Sequence, residues 1–336
     1  MSDVLSYNHG EPNKTKITDD LEQLLKDNNI PTLGLGVIED GKLTQIKVYG
    51  KLNDKTSASY NSLFNVASLT KPVTAMTVLR LVSLGKWNLD EPLYKYFTDP
   101  DIAKDSRHKK LTTRMILSHQ TGFPNWRWMH NDNKLNFEFE PGTKYQYSGE
   151  GFEYLRKAIE KKFNKTLEEL AKEYVFQPLG MNDTSYIWNA KKQADRIVIG
   201  YDKNGKPYDI VKNKTASAAD DLMTSVEDYS QFLIAVMKNE LLSPDVFETM
   251  KTKQVKSKEN KYFGLGFEIY DLGNDEIALS HGGADKGVNT FAIILPKTKQ
   301  GLVIFTNVDD GYKIYESIMN QYLGEKGKRI VEIETK

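Results

Sequence analysis

Between Lys71 and Gly85 the chain has no polar face. Val73, Ala75, Met76, Val78, Leu79, Leu81, Val82 and Leu84 fall on every side of a 3.6-residue helix, and a helix apolar nearly all round is one enclosed by protein. Pro72 suits its first turn, and Gly85 stands where a C-terminal cap belongs. Such a helix needs other elements on all sides. Strands are available at both ends of the chain. The run TLGLGVIEDGKLTQIKVYG (32–50) reads as a hairpin turning at Gly41. Late in the chain FGLGFEIYD, EIALSH, TFAIILP and GLVIFTN read as strands, and YKIYESIMNQYL as a closing helix.

Roughly from 88 to 260 the pattern is helical segments and long loops: LTTRMILSH, GFEYLRKAIEKKF, LEELAKEYVF and VEDYSQFLIAVMKN. A short helix near the start is capped by Thr18 and presents Leu21, Leu24 and Leu25. The expected fold is therefore α/β, in the α+β sense. One antiparallel sheet is built from both chain ends and flanked by helices, with a mostly helical region inserted. A flexible terminus over 1–14 precedes a single domain over 15–336. Its α/β part covers 15–75 and 260–336, its helical part 76–259, and the site lies in the crevice between them.

Composition excludes some chemistries. With 46 basic and 46 acidic residues, no strong field draws nucleic acid or an anionic membrane. The absence of cysteine removes disulfides, thiolate catalysis and Cys-ligated zinc. The five histidines (9, 108, 119, 130 and 281) show no H-x-H or H-E-x-x-H spacing, so neither metal nor cofactor is expected. His119 reads as a hydrogen-bonded structural residue at a helix end. No apolar stretch approaches the ~20 residues of a membrane span. The opening MSDVLSYNHGEPNK lacks a basic segment followed by an apolar run, which leaves either a cytoplasmic protein or one whose leader has been removed.

The chemistry is expected where the buried helix begins. In FNVASLTKPVTAM, Ser68 lies three residues before Lys71, and residues three apart share a helix face. A serine hydroxyl needs a base to take its proton, and a buried lysine can serve because desolvation lowers its pKa. S-x-x-K also occurs at Ser83 and Ser106, but neither of those begins a buried helix. ALSHG (278–282) is one residue short of the α/β-hydrolase elbow, and no later histidine exists to complete that triad.

FNVASLTKPVTAM followed by LVSLGKWNLDEPLYKYF (81–97) resembles the serine β-lactamase-related superfamily of class C β-lactamases, D-alanyl-D-alanine carboxypeptidases and related esterases and D-amino-acid peptidases. The resemblance continues through ILSHQTGFP (116–124), FEPGTKYQYSGEGFEYL (139–155), FQPLGMNDTSY (176–186), LMTSVEDYSQFL (222–233) and LSHGGADKGVNTF (279–291). It implies a serine hydrolase working through an acyl-enzyme on an ester, peptide or β-lactam carbonyl, with Ser68 as nucleophile and Lys71 as base. Tyr147, in the position of the family's Y-x-N tyrosine, would relay the proton to the leaving group, and a nearby cation would lower its pKa. His281 would stabilise charge, bind a carboxylate when protonated, or hydrogen-bond Tyr147.

The N–H groups of Ser68 and Ala284 would form the oxyanion hole. Gly282 and Gly283 would let substrate approach the strand, and Trp126 would contact it from the cleft edge. Gly149 departs from the pattern, where lactamases carry Asn. Glu150 is expected to replace that amide in part, pairing with Lys71 or a substrate cation. His281, where many relatives carry Lys, points to the esterase and peptidase branches. The resemblance also implies export. The expectation from another class is a non-catalytic sensor or binding domain on the same fold.

Overall fold

The computed structural model describes residues 13–14, 18–53 and 55–336. Residues 1–12 of the terminus expected to be flexible lie outside these. Asn13–Lys14 form β1, which pairs in parallel with Gln45 and Ile46. Helix α1 (Asp19–Asp27) is capped by the Thr18 hydroxyl, which accepts from the Leu21 N–H. The hairpin forms as β2 (Thr32–Glu39) and β3 (Lys42–Asn53). Asp40 and Gly41 between them have φ of +49° and +69°, the left-handed pair that matches strand twist in a two-residue turn.

The middle of the chain supplies β4 (Thr56–Ser57), β5 (Phe64–Asn65), the enclosed helix α2 (Thr70–Ser83), α3 (Thr113–Leu117), α4 (Gly149–Phe163) and α5 (Leu167–Ala171). A π-helical turn over Lys172–Phe176 joins α5 to α6 (Gln177–Leu179). Then come α7 (Ala190–Gln193), β6 (Met223–Thr224), α8 (Val226–Lys238) and α9 (Pro244–Lys251). The last third runs β7 (Val255–Lys258), β8 (Lys261–Phe263), β9 (Glu268–Gly273), β10 (Glu276–Asp285), β11 (Val288–Leu295), β12 (Gln300–Thr306), α10 (Tyr315–Leu323) and α11 (Glu325–Thr335).

The main sheet has the order β1-β3-β2-β12-β11-β10-β9-β8-β7, with β4 on β3. Beyond the parallel β1–β3 pair all its pairings are antiparallel. The N-terminal hairpin thus joins the C-terminal strands at β2–β12, as the two-ended sheet requires. Leu33, Leu35 and Val37 of β2 pack with Leu21 and Leu25 of α1, Ile318 of α10 and Ile330 of α11 on one face. The opposite face of β2 carries Gly34 and Gly36. A Cβ there would lie 2.7 Å from Val226 Cγ2 and 2.5 Å from Ser230 Oγ, so these glycines let α8 lie flush on the sheet.

Residues Thr70 through Leu79 of α2 are buried without a break. Large apolar side chains of this kind contribute about 1.5–3 kcal/mol each. Two features differ from the sequence reading. FGLGFEIYD is two strands, because the chain turns at Gly264–Phe267, where Gly266 has φ +85°. Helices α9 and α11 were not anticipated. The latter is short in apolar residues and is tied down by Glu334, which bonds Lys258, Lys261 and Tyr270 of the β7–β9 strands. Among the described residues no helix is long and apolar enough to cross a membrane.

Candidate active site

Ser68 emerges from a backbone held in an unusual conformation. Ala67 has φ +46°, a region that costs a residue bearing Cβ about 1–2 kcal/mol. Its N–H donates to Asn65 Oδ1 at 2.8 Å, and its carbonyl accepts from Thr70 Oγ1 at 2.6 Å. Local strain of this kind persists only where surrounding bonds hold it, and it clusters at functional sites. One 3₁₀ turn, Ala67–Leu69, leads into α2 and leaves Ser68 half-buried between two buried neighbours.

Lys71 is fully buried and its Nζ lies 2.9 Å from Ser68 Oγ. The same nitrogen donates to the Ala219 carbonyl at 2.7 Å. Flanking bonds fix this arrangement. The Leu222 N–H donates to Thr70 Oγ1 at 2.9 Å, and Thr74 Oγ1 donates to the Ala218 carbonyl at 2.9 Å. Residues 70, 71 and 74 share one face of α2, so a single loop, 218–222, closes over the amine.

Burial lowers the Lys71 pKa to about 8, against the pull of Asp220 and Glu153, which favour the ammonium. Asp220, adjacent to the carbonyl that holds Lys71, is itself pushed up to about 7 by burial and by Asp221, while Lys71 pulls it down. Asp221 is bound by the amides of Asn65 (2.9 Å) and Asn213 (3.2 Å). Carboxylate oxygens of Asp220, Asp221 and Asp285 lie within 4.8 Å of one another. Among the described residues this is the one grouping of side chains able to share a cation, and it concentrates negative charge beside Lys71.

Tyr147 stands next to this pair. The Lys71 Nζ is 4.7 Å from its ring centroid, and the Ser68 side chain favours the ionised form of its hydroxyl. The neighbouring cation does not lower its pKa: burial dominates and pushes the phenol well up. Tyr147 is thus a neutral phenol that can pass a proton on, rather than a standing phenolate.

Two histidines flank the phenol, and both are neutral. His281 has its pKa lowered to about 3 by burial, with Lys71 acting in the same direction. The carboxylate-binding imidazolium is therefore corrected to an uncharged ring. Its Nδ1 lies 2.6 Å from the Gly282 carbonyl, an acceptor only, so Nδ1 carries the hydrogen and Nε2 the lone pair. His119 is the histidine expected to be structural. It does sit at the end of α3 and accepts the Ser148 N–H on Nδ1 at 3.0 Å, but its ring also stacks on Tyr147 at 4.4 Å. Its Nε2 is then N–H. The Nε2 atoms of both rings are buried without a hydrogen bond among the described residues.

The opposite wall is β10. Its pairing with β9 ends at Ser280, while its pairing with β11 continues through Asp285. The backbone from His281 onward thus has one edge free of β9. Gly283 lies against Ser68: a Cβ there would be 3.0 Å from the Ser68 nitrogen and 2.5 Å from the Val66 carbonyl. Gly282 and Ala284 alternate with it and are exposed. Strand edge and helix start therefore meet at Ser68, which is what an oxyanion hole made of the Ser68 and Ala284 N–H groups requires.

Glu150 is not turned toward Lys71. Its carboxylate is buried against Arg127, accepting from Nε at 3.0 Å, from Nη2 at 2.8 Å and from the Arg127 backbone N–H at 3.0 Å. Arg127 also bonds Asp99 and Asp101. The acid beside the amine is instead Asp220, which carried no motif to mark it. The correction gives a test. Glu150→Gln is expected to lower stability by about 1.5–3 kcal/mol, the range for hydrogen bonds to charged groups, with the rate of Ser68 acylation unchanged. Thermal unfolding and labelling kinetics would read the two separately.

Gly149 has Trp126 as its neighbour. A Cβ at Gly149 would lie 2.7 Å from two indole carbons, Cη2 and Cζ2. The ring takes the space where a side chain at 149 would begin.

A half-buried serine hydroxyl beside a buried amine of lowered pKa, next to a neutral phenol and a strand edge, is an arrangement able to transfer acyl groups. The chain belongs to the Beta-lactamase family, whose model matches residues 17–317. It is 24% identical over 334 residues to Protein flp of Staphylococcus aureus strain MRSA252, aligning over 91% of this chain and 66% of that protein, so it spans just under two thirds of that relative's length. A Beta-lactamase of Yersinia enterocolitica is 25% identical, with 87% and 86% of the two chains aligned. Among solved structures, the octameric penicillin-binding protein homologue from Pyrococcus abyssi superposes with a TM-score of 0.78 at 22% identity, over 92% of this chain and 77% of the other. The D-alanine carboxypeptidase AmpC from Burkholderia cenocepacia gives 0.73 at 21%, over 88% and 96%. These likenesses establish the fold.

Proposed function

We propose that this protein is a serine hydrolase acting through an acyl-enzyme on Ser68, with an uncharged ester as its preferred substrate class and D-amino-acid peptides second. The observation that carries the reading is the fully buried Lys71 amine 2.9 Å from Ser68 Oγ, with a pKa lowered to about 8. In acylation Lys71 as the free amine takes the Oγ proton while Oγ attacks the carbonyl carbon. The oxyanion is held by the N–H groups of Ser68 and Ala284. Tyr147 gives its proton to the departing oxygen or nitrogen and is reprotonated by the Lys71 ammonium. Deacylation runs the same relay with water as nucleophile. Every proton returns to its starting group, and no metal or cofactor enters.

Esters rank ahead of β-lactams and C-terminal peptides because His281 is uncharged. It offers no fixed cation for a substrate carboxylate, and an ester asks for none. Export from the cytoplasm belongs to the same proposal and rests on the family.

Intact-mass spectrometry after mixing with a penicillin, and separately with p-nitrophenyl acetate, tests the reading. The expected result is a short-lived acetyl adduct with rapid turnover, and a slow or long-lived penicilloyl adduct. Rapid turnover of the penicillin would move the assignment to a β-lactamase. Stable adducts with both reagents would favour the non-catalytic binding domain.

A further inference from the structure

We infer that a second cavity, separate from Ser68, binds a small organic monocarboxylate with an apolar body. The cavity lies beside α5, where the π-helical turn Lys172–Phe176, the segment 181–185 and helix α7 meet, and has a volume of about 390 Å³. Small-molecule sites run from roughly 300 to 1,000 Å³. None of Ser68, Lys71, Tyr147, His281 or Ala284 lines it. Tyr186 stands between the cavity and α2. Its N–H donates to Glu168 in the cavity wall at 2.7 Å, and its hydroxyl lies 3.0 Å from Thr74 Oγ1.

Part of the lining is apolar. Leu63, Phe176 and Met181 face the cavity and are otherwise buried. Water against such a surface is poorly held, and a hydrocarbon group that displaces it gains affinity.

The polar lining has its acceptors engaged and donors to spare. Glu168 accepts from the Tyr186 N–H and, at 3.2 Å, from the Ser185 hydroxyl. Asp183 is held by Arg196 through two bonds of 2.7 and 2.6 Å. Gln193 Oε1 accepts the Asn189 N–H at 2.6 Å. The other end of that amide is unmatched. Gln193 lines the cavity and is 3% exposed, and its Nε2 donates to no acceptor among the described residues. A buried donor left in this state is costly, and a ligand oxygen in the cavity would satisfy it.

Charge points the same way. Lys172 and Lys192 line the mouth, are exposed, and form no ion pair among the described residues. Arg196 offsets Asp183, so the two lysines face a single further carboxylate, Glu168, and one positive charge is left over. One carboxylate balances that charge, its oxygens take the Gln193 and lysine donors, and its carbon body covers the apolar lining. Inorganic phosphate supplies the oxygens but no such body.

Titration calorimetry on the full chain tests the site, with benzoate, its neutral counterpart benzamide, and inorganic phosphate as probes. Benzoate is expected to bind wild type and Ser68→Ala alike, and at least about tenfold more tightly than either other probe, the scale of a charge-assisted bond. Lys172→Met and Lys192→Met, both at exposed positions, are each expected to raise the benzoate Kd about tenfold. Gln193→Glu keeps the oxygen that accepts from Asn189 and replaces the free donor by a negative oxygen, so it is expected to abolish binding, with thermal unfolding confirming that the variant folds. Ester hydrolysis by the two lysine variants should match wild type. No benzoate binding at millimolar concentration, or equal binding to the lysine and Gln193 variants, would overturn the proposal. Benzamide binding as tightly as benzoate would remove the carboxylate from it, and phosphate binding as tightly would remove the apolar body.

Discussion

Ser68→Ala is expected to show no covalent adduct with either a penicillin or p-nitrophenyl acetate, and to lose at least about 10⁴-fold in kcat/KM, as removal of a serine nucleophile does elsewhere. The next hydroxyl along the helix cannot take over. Thr70 Oγ1 already donates to the Ala67 carbonyl and accepts from the Leu222 N–H. The other two S-x-x-K serines are also placed elsewhere. Ser83 Oγ donates to the Leu79 carbonyl at the far end of α2, and Ser106 opens a 3₁₀ helix (Ser106–Lys110) that no bond links to Lys71. Residual hydrolysis should come from the oxyanion donors and binding alone, as the Ala67–Leu69 turn needs no Ser68 side chain to form. Peptide mapping of the wild-type adduct completes the test. Modification of any residue other than Ser68, or an adduct persisting in Ser68→Ala, would remove Ser68 from its role.

The sequence made the sheet and the enclosed helix readable because both rest on periodicity. Alternating Leu33, Leu35 and Val37 and the all-round apolar run of α2 can satisfy themselves in few ways. Ser68 and Lys71 were readable because their spacing and the start of a buried helix are local facts. What was misread depends on distant partners. Glu150 looked free to face Lys71, since nothing in YSGEG announces that Arg127, 23 positions earlier, will claim it. Asp220 lacked any motif, and only the loop that closes over α2 brings it to the amine.

The sign of a pKa shift was equally hidden. Charged neighbours are all that the sequence shows around Tyr147 and His281, whereas in the folded protein the largest influence on each is burial. The Gly149 departure could be seen in the sequence. Its consequence could not, because the indole that fills the space comes from a separate loop. Sequence pattern thus identified the Ser68–Lys71 pair, and the three-dimensional packing decided which other groups join it and which of them carry charge.

That division matters most for Lys71. Lys71→Met, close in shape and without the amine, is expected to lose about 10²–10⁴-fold in the rate of acylation, the usual share of a general base. The pH dependence should change with it. In the wild type, kcat/KM is expected to rise across pH 7–8, as Lys71 (about 8) and Asp220 (about 7) release their protons. Because the two interact, the limb belongs to the pair. The other groups facing the amine do not titrate there: His119 and His281 are already neutral, and the phenol of Tyr147 stays protonated. In Lys71→Met the rise should vanish. In Asp220→Asn, loss of a carboxylate that favours the ammonium should move it to lower pH.

Stability should respond in the opposite sense to activity. Lys71 has a folded pKa below its ordinary 10.5, so the unfolded chain holds the proton more tightly between about 8 and 10.5, and folding carries a penalty that is complete below about 8 and fades as pH rises toward 10.5. Lys71→Met removes that penalty. The variant is therefore expected to melt at a higher temperature than wild type at pH 7, with the difference shrinking by pH 10. A variant that is inactive but less stable at pH 7 would mean that the Lys71 bonds to Ser68 and Ala219 outweigh the cost of burying the amine, and the lysine would then be a structural tie as much as a base.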